Sequence, residues 1–359
     1  MKKKITAVLR IALPLGLILL IALCRFIPSL AEGYARSVYP VVSTVLSAIS
    51  SVFPFSLEEI LVVGIVLWLV IYPIVKRRKG KSWKSILARG VEVLAWVYIW
   101  FYLGWGLNYF RYDIYTRGRV APVQYEEQAF LRFLDAYADS LNSSYIASVE
   151  TVAAINAVKT DAATLEREIK DFYLQVPSSF GLAKPKSFQR AKNFTFTSLY
   201  SGVGVLGSMG PFFAESQLNA DLLPVQLPFT YAHEFSHLLG VSGEAEANYW
   251  AYQCCIRSSS AGMRYSGYFG ILPYVLINAS SSLPQELFRE WIKKIRPEVV
   301  EEFERKQAYW GERYSPLLGK VQNVAYDWFL KGNNVASGRK NYAEVVGILL
   351  ALSPEFTTE

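Results

Sequence analysis

Cysteine and histidine are the scarcest reactive residues of this chain, which has three cysteines and two histidines among its 359 residues. Cys24 lies in an apolar segment near the start of the chain, whereas Cys254 and Cys255 are adjacent. Adjacent cysteines are poorly placed for an ordinary disulfide, which holds the two Cβ atoms about 3.8 Å apart. The sequence therefore excludes a fold stapled by disulfides.

Most of the chain, residues 111–359, has no excess of basic over acidic residues. Residues 1–110 hold 13 of the 37 basic residues and 4 of the 30 acidic ones, which leaves 24 basic and 26 acidic residues in 111–359. The sequence pI of about 9.1 therefore comes from the N-terminal part alone. This distribution excludes nucleic acid as a partner and makes the positive charge a signal of membrane topology.

Hydrophobic residues are abundant and make up 52% of the chain. Three apolar stretches, at about 11–27, 60–75 and 91–110, each approach the ~20 residues that cross a bilayer. Aromatic residues such as Trp96 and Trp105 flank the third stretch, as they do at membrane interfaces. The sequence predicts a membrane anchor of three transmembrane helices over residues 1–110, with the bilayer as a partner, and a second domain over 111–359.

Two basic clusters predict the orientation of this anchor. Seven Lys and Arg residues lie between the second and third stretches, at 76–89, and four more precede the first, at 2–10. Basic residues flanking membrane spans are retained in the cytoplasm. We therefore expect a multi-pass protein of the cell membrane whose residues 111–359 lie on the extracytoplasmic side.

The two histidines of the chain lie four residues apart in His233-Glu234-Phe235-Ser236-His237, the H-E-x-x-H pattern of zinc hydrolases. On a helix, positions i and i+4 share one face, so both imidazoles can reach a single zinc ion. Glu234 would then act as the general base toward the attacking water. A core helix that carries this trio by accident would have to bury its polar groups at a cost of several kcal/mol.

A catalytic zinc takes three protein ligands, and the chain has no third histidine. The sequence favours Glu246, because a tight turn after Gly240 would fold a second helix, which starts near Ser242, back beside the first. Glu244 is the local alternative. Two remote alternatives are Glu286 and Glu290.

The remaining pattern predicts a mainly α fold with a small β-sheet, of the α+β, zincin-like class. Residues 125–172 follow a helical, amphipathic period, whereas 194–218 are rich in glycine and in aromatic and β-branched residues, as in short strands. The last of these strands, at about 212–218, is expected to form the sheet edge along which an extended peptide lies.

The sequence resembles a gluzincin-type family built on a domain of unknown function, whose members are multi-pass membrane proteins with a zinc-peptidase motif. The resemblance starts from the motif, the glycine turn after its second histidine, and the following Glu246-Ala247-Asn248-Tyr249. Further matching segments are Trp105-Gly106-Leu107-Asn108-Tyr109, Glu215 to Asp221, Arg264-Tyr265-Ser266-Gly267-Tyr268 and Gly338 to Tyr342. The resemblance covers most of the chain, and it implies that Glu246 completes the zinc site.

These features predict a membrane-anchored zinc metallopeptidase that hydrolyses peptide bonds in a peptide or protein substrate. Oxyanion stabilisation would come from Tyr265 or Tyr342 and from Arg264 or Arg339. One alternative is a zinc-stabilised sensor or scaffold without turnover, against which the retained Glu234 argues. The other is an intramembrane protease of the site-2 type, for which the proline-containing segment 222–241 is a poor membrane span.

Overall fold

A computed structural model describes residues 2–123, 126–154, 162–333 and 344–352 of the chain. The described residues are mainly helical and contain one three-stranded sheet, which confirms this part of the predicted fold class. The N-terminal elements are α1 (Lys2–Phe26), α2 (Pro28–Gly33), a π-helical turn (Tyr34–Val38), α3 (Tyr39–Ser51), α4 (Leu57–Arg78), α5 (Trp83–Gly104) and a 3-10 turn (Gly106–Phe110).

The rest of the chain adds eleven helices, a short 3-10 turn and three strands within the described residues. Those before the motif are α6 (Ile114–Gly118), α7 (Glu127–Ala154), α8 (Ala162–Gln175), a 3-10 turn (Ser178–Phe180), β1 (Ala191–Asn193), α9 (Thr197–Gly202), β2 (Gly207–Gly210) and β3 (Glu215–Leu218). The motif helix and those after it are α10 (Leu227–Leu238), α11 (Glu244–Ile256), α12 (Ala261–Ser282), α13 (Gln285–Ile292), α14 (Pro297–Arg313), α15 (Pro316–Gly332) and α16 (Val345–Leu352).

Two helices, α4 and α5, are long and apolar enough to cross a membrane among the described residues. Each has 22 residues and begins at a serine, Ser56 or Ser82, whose side chain accepts a hydrogen bond from the backbone three residues later. A third span is counted only if Arg10–Phe26 and Pro28–Ser51 are taken as one span, and these are bent by 106° at their break. The two clear spans are therefore fewer than the three predicted ones.

The third predicted stretch begins and ends earlier than expected. The helix α5 ends at Gly104, and residues 105–110 leave the span as a 3-10 turn. In this turn Trp105 joins the main hydrophobic core, together with Tyr39, Phe133 and Phe235. The core that holds the motif helix thus includes residues on both sides of position 110.

The sheet has the strand order β1-β3-β2, in which β3 pairs in parallel with β1 and antiparallel with β2. The segment expected to form the open edge, at 212–218, therefore supplies the central strand. The open edge beside the motif helix is β2. The turn at 211–214 pairs β3 with β2, and β1 pairs with the other side of β3, so that β3 lies between the other two strands.

The sheet is fixed to the membrane helices through a buried carboxylate on β3. Glu215 forms an ion pair with Lys192 of β1 at 2.6 Å, and both side chains are buried. The Glu215 carboxylate also accepts hydrogen bonds from the Leu57 and Glu58 amides, at 3.1 and 3.0 Å. These amides belong to the first turn of α4, where a negative charge is favoured. The first turn of α4 and the sheet therefore lie together.

Candidate metal centre

The motif helix α10 is a core helix that carries its polar residues inward. Pro228 occupies the first turn, where its missing amide hydrogen is tolerated, and every residue from Phe229 to Leu238 is buried. The helix ends before Gly240, whose φ of +96° is accessible mainly to glycine. His233 and His237 lie one turn apart, with ring centroids 4.8 Å from each other.

The side chains of His233, His237 and Glu244 meet at one point. The two Nε2 atoms are 3.1 Å apart, and Glu244 Oε2 lies 3.2 Å from the first and 3.4 Å from the second. All three residues are buried, and they form a group that could hold a metal ion. Tetrahedral coordination with bonds of about 2.0–2.1 Å puts neighbouring ligand atoms roughly 3.3 Å apart, so the three observed separations fit one ion.

The outer atoms of these side chains are held by hydrogen bonds that orient them toward the common point. His237 Nδ1 donates to the Val241 carbonyl at 2.7 Å, and His233 Nδ1 lies 2.9 Å from Asn248 Oδ1. Because both partners are acceptors, each Nδ1 carries a proton, and each Nε2 is the atom that could bind a metal ion. Tyr326 donates to Glu244 Oε1 at 2.6 Å. Such outer contacts are typical of metal-ligating histidines and carboxylates.

The electrostatics of the cluster also fit a bound cation. Burial lowers the pKa of His237, but the Glu244 carboxylate outweighs that effect and raises it to about 9. Burial alone would raise the pKa of Glu244, yet the two imidazoles hold it well below its ordinary value. The buried Glu244 carboxylate therefore favours a positive charge at the meeting point, which a proton on His237 supplies in the absence of metal and a divalent cation could supply in its place.

Glu246, the predicted third ligand, is not in this cluster. Its carboxylate forms a buried ion pair with Arg117 and accepts a hydrogen bond from Trp250 Nε1 at 3.0 Å. Positions 244 and 246 point in nearly opposite directions on a helix, so only one of them can face α10. The helix α11 begins at Glu244, which puts Glu244 and Asn248 on that face. The remote alternatives, Glu286 and Glu290, are exposed on α13.

Glu234 lies beside the cluster without belonging to it. Burial raises the pKa of its carboxyl group above the ordinary value, an effect that the neighbouring imidazoles oppose. The side chain passes close to the edge strand β2, where a Cβ atom added to Gly207 would lie 2.5 Å from Glu234 Cγ. The absence of a side chain at position 207 is therefore what leaves room for Glu234.

A cleft of about 1620 Å³ opens over these residues. The motif residues and Glu244 line it together with Gly207, Ser208 and Met209 of β2. Lys306 of α14 and Tyr326 of α15 also line the cleft. Lys306 is the only lysine or arginine among the described residues that line the cleft, and its ammonium group lies over the rings of Phe269 and Phe303.

The end of α10 is held by residues of the N-terminal region. Trp105 Nε1 donates to the His237 carbonyl at 2.9 Å, and the Tyr39 hydroxyl donates to the Leu238 carbonyl at 2.7 Å. Arg111 reaches the Gly240 carbonyl at 3.3 Å. These donors bind carbonyls that have no partner within the helix. The position of His237 thus depends on residues that precede the motif by more than 120 positions.

Two of the four residues predicted to stabilise an oxyanion are directed elsewhere. Tyr265 donates to Glu302 at 2.7 Å, and Arg264 donates to the Ser258 and Ser259 carbonyls at 2.9 and 2.7 Å. Tyr342 and Arg339 lie outside the described residues. Sequence reasoning missed Asn248, although its position four residues after Glu244 could have indicated it. It also missed Tyr326 and Trp105, which no local pattern connects to the motif.

Comparison with known proteins places the chain in a family. A family model described as a protein of unknown function (DUF3810) matches residues 34–350, and the chain belongs to this family. No curated protein and no solved structure matches the chain. The matched range includes α4, α5 and the three residues of the cluster, His233, His237 and Glu244.

Gly207 offers a test of the space beside Glu234. We expect Gly207→Ala to leave the fold and the metal content unchanged, because the crowded neighbour is a side chain that can move. If Glu234 acts as the general base expected from the sequence, hydrolytic activity should fall roughly 10²-fold, because a displacement of about 1 Å can cost a catalytic group this factor. Gly311→Ala is the matched control, because a Cβ atom added there meets nothing within 4 Å. Equal activities of the two variants would contradict this role of Gly207.

Proposed function

We propose that the protein is a membrane-anchored zinc metallopeptidase. The proposal rests on one buried group of four side chains, in which three could bind a metal ion and the fourth could act as a base. His233, His237 and Glu244 direct three ligand atoms to a common point, while the fourth buried group, Glu234, lies beside them. Two nitrogens and one carboxylate oxygen are a ligand set of catalytic zinc sites, which keep a further position open for water or substrate. A purely structural site would have no use for Glu234.

The roles of the chain's own residues follow from this arrangement. When bound, a zinc ion supplies a Lewis acid for the substrate carbonyl and lowers the pKa of a water molecule toward neutrality. Glu234 accepts a proton from the attacking water on its carboxylate and later delivers it to the leaving amine. The raised pKa of Glu234 suits both steps, because a general base works best when its pKa is near the operating pH.

The edge strand β2 supports a peptide as the substrate. An extended peptide can bind to an open strand edge through main-chain hydrogen bonds. Gly207, Ser208 and Met209 line the cleft next to Glu234, so a peptide paired with β2 would run past the proposed general base. In this proposal the substrate lies against β2, whereas the sequence favoured the segment at 212–218.

The site belongs to the extracytoplasmic side in this proposal. The spans α4 and α5 form a hairpin whose connection, at 79–82, carries part of the basic cluster. The opposite end of the hairpin holds the site domain, because Glu215 binds the first turn of α4 and Trp100 of α5 packs against Phe212 and Phe213. A cytoplasmic basic loop would therefore leave the metal centre outside the cytoplasm.

Reporter fusions test this orientation. A reporter active only in the cytoplasm should function when inserted at Gly80, in the connection of the hairpin, and should be silent when attached after Glu359. A reporter active only outside the cytoplasm should give the reverse pattern. The physical reason is the retention of the basic connection inside. Activity of the same reporter at both positions would contradict the proposed topology.

The direct test of function uses the full-length protein in detergent. We expect elemental analysis to give one zinc ion per chain, and digestion of a peptide library to give products that disappear with a chelator and return with added zinc. His233→Ala should lose the metal, because no other histidine can replace the missing nitrogen. Zinc without any hydrolysis, by the parent protein or by the zinc-restored protein, would favour the sensor or scaffold instead.

A further inference from the structure

The helix α15 presents an apolar stripe to its surroundings. Leu317, Val321, Val324 and Trp328 are 76%, 66%, 51% and 75% exposed. Their spacing of four, three and four residues puts them on one face of the helix. Four large apolar side chains at this exposure form a continuous surface, which on a soluble domain marks a contact with a partner or a membrane.

The opposite face of α15 is occupied by the protein. Leu330 is fully buried, and Tyr326 donates its hydroxyl hydrogen to Glu244, one of the three cluster residues. Phe329 packs between the two faces, with its ring centroid 5.8 Å from those of Phe101 and Tyr109. The helix therefore forms a wall between the cleft on one side and its surroundings on the other.

The C-terminal end of α15 is attached where α5 leaves its span. Tyr102 donates to Asn333 Oδ1 at 2.7 Å, and Phe101 of the same turn contacts Phe329. The helix α5 continues for only two residues beyond Tyr102. The C-terminal end of α15, where the stripe ends at Trp328, is thus held at the end of a membrane-spanning helix that faces the site.

The charges of α15 border the stripe. Lys320 and Lys331 lie beside it on the helix surface, and Lys331 forms an ion pair with Asp327 at 2.6 Å. Helices that lie in a membrane surface combine an apolar face with bordering lysines, whose long side chains reach the headgroups, and with tryptophan at the boundary. The exposed Trp328 and the two lysines match this composition.

We propose that α15 lies in the membrane interface, with its stripe of Leu317, Val321, Val324 and Trp328 inserted among the lipids. The partner is the bilayer that holds α4 and α5. The helix then forms a membrane-facing wall of the active-site cleft, and Tyr326 connects this wall directly to Glu244. On the proposed peptidase function, on which this step rests, the cleft lies next to the bilayer, so the accessible peptide bonds are those close to the membrane surface.

Fluorescence quenching by lipids tests the position of α15. The native cysteines are all buried, so an introduced cysteine can be labelled selectively in the full-length protein. Leu317→Cys, Val321→Cys and Trp328→Cys replace exposed residues, and each is labelled with an environment-sensitive fluorophore in nanodiscs. Glu304→Cys on α14, also exposed, is the control. We expect lipids brominated in the upper acyl chain to quench the stripe positions roughly twofold and the control hardly at all, because an interfacial helix is buried to ~5–10 Å.

Two results would overturn the proposal. Equal and weak quenching at the stripe and at Glu304→Cys would show that the stripe faces water. Weak quenching together with disulfide cross-linking through Val321→Cys would show that it faces a second copy of the chain. The measurement uses neither zinc nor hydrolysis, so its failure is distinguishable from a failure of the proposed peptidase activity.

Discussion

Glu234→Gln is expected to keep the fold and the bound zinc while it abolishes hydrolysis. The amide has the shape of the carboxylate and fits the same space beside Gly207, but it cannot accept a proton from water. Loss of general-base action typically lowers the rate by ~10²–10⁴. Zinc content and hydrolysis are measured on the same preparation, in an assay that resolves this range.

The result for Glu234→Gln separates the enzyme from its alternatives. Retained zinc with lost activity supports general-base catalysis. Full activity in the variant would refute it and would make a sensor or an unrelated function the better account. Loss of zinc as well would mean that Glu234 belongs to the ligand set and would contradict the arrangement in which it lies beside the cluster.

Substitutions of the two neighbouring glutamates of α11 are expected to differ sharply. Glu244→Gln should weaken zinc binding roughly 10²-fold or more, because a neutral amide is a poorer ligand than a carboxylate. Glu246→Gln should leave zinc affinity nearly unchanged, since the structure directs Glu246 to Arg117 and Trp250. Zinc affinity is measured by competition with a chelator of known affinity.

Glu246→Gln should instead lower the thermal stability of the protein. Removing one partner of a buried ion pair leaves the other charge uncompensated and costs about 3 kcal/mol. Both side chains of the ion pair between Glu246 and Arg117 are buried. If Glu246→Gln loses zinc while Glu244→Gln retains it, the assignment of the third ligand reverses.

The sequence predicted the motif helix and the general fold because both depend on local patterns. Two histidines at a spacing of four residues define one helix face wherever that helix lies, and the mainly helical fold with a small sheet follows from residue periodicity. The family model matches residues 34–350, which agrees with the prediction that the resemblance covers most of the chain. The peptidase activity of this chain is a proposal.

The differences between the sequence-based expectations and the structure concern features that depend on tertiary structure. The choice between Glu244 and Glu246 depends on where the first turn of α11 begins, and a shift of two residues turns a side chain by about 200°. The role of β3 as the central strand depends on the pairing of β1, which the sequence did not reveal. Tyr326 reaches Glu244 from 82 positions away, a distance over which no local pattern carries information.

The hydrogen bonds from Tyr39 and Trp105 to the end of α10 make the metal centre inseparable from the membrane anchor. A fragment that starts at residue 111 would lose both donors and leave the carbonyls of His237 and Leu238 without these partners in the core. For the proposed enzyme, a substitution at Tyr39 or Trp105 is therefore expected to reduce activity although neither residue belongs to the cluster. The N-terminal helices and the cluster form one structural unit, so experiments on the cluster call for the full-length chain.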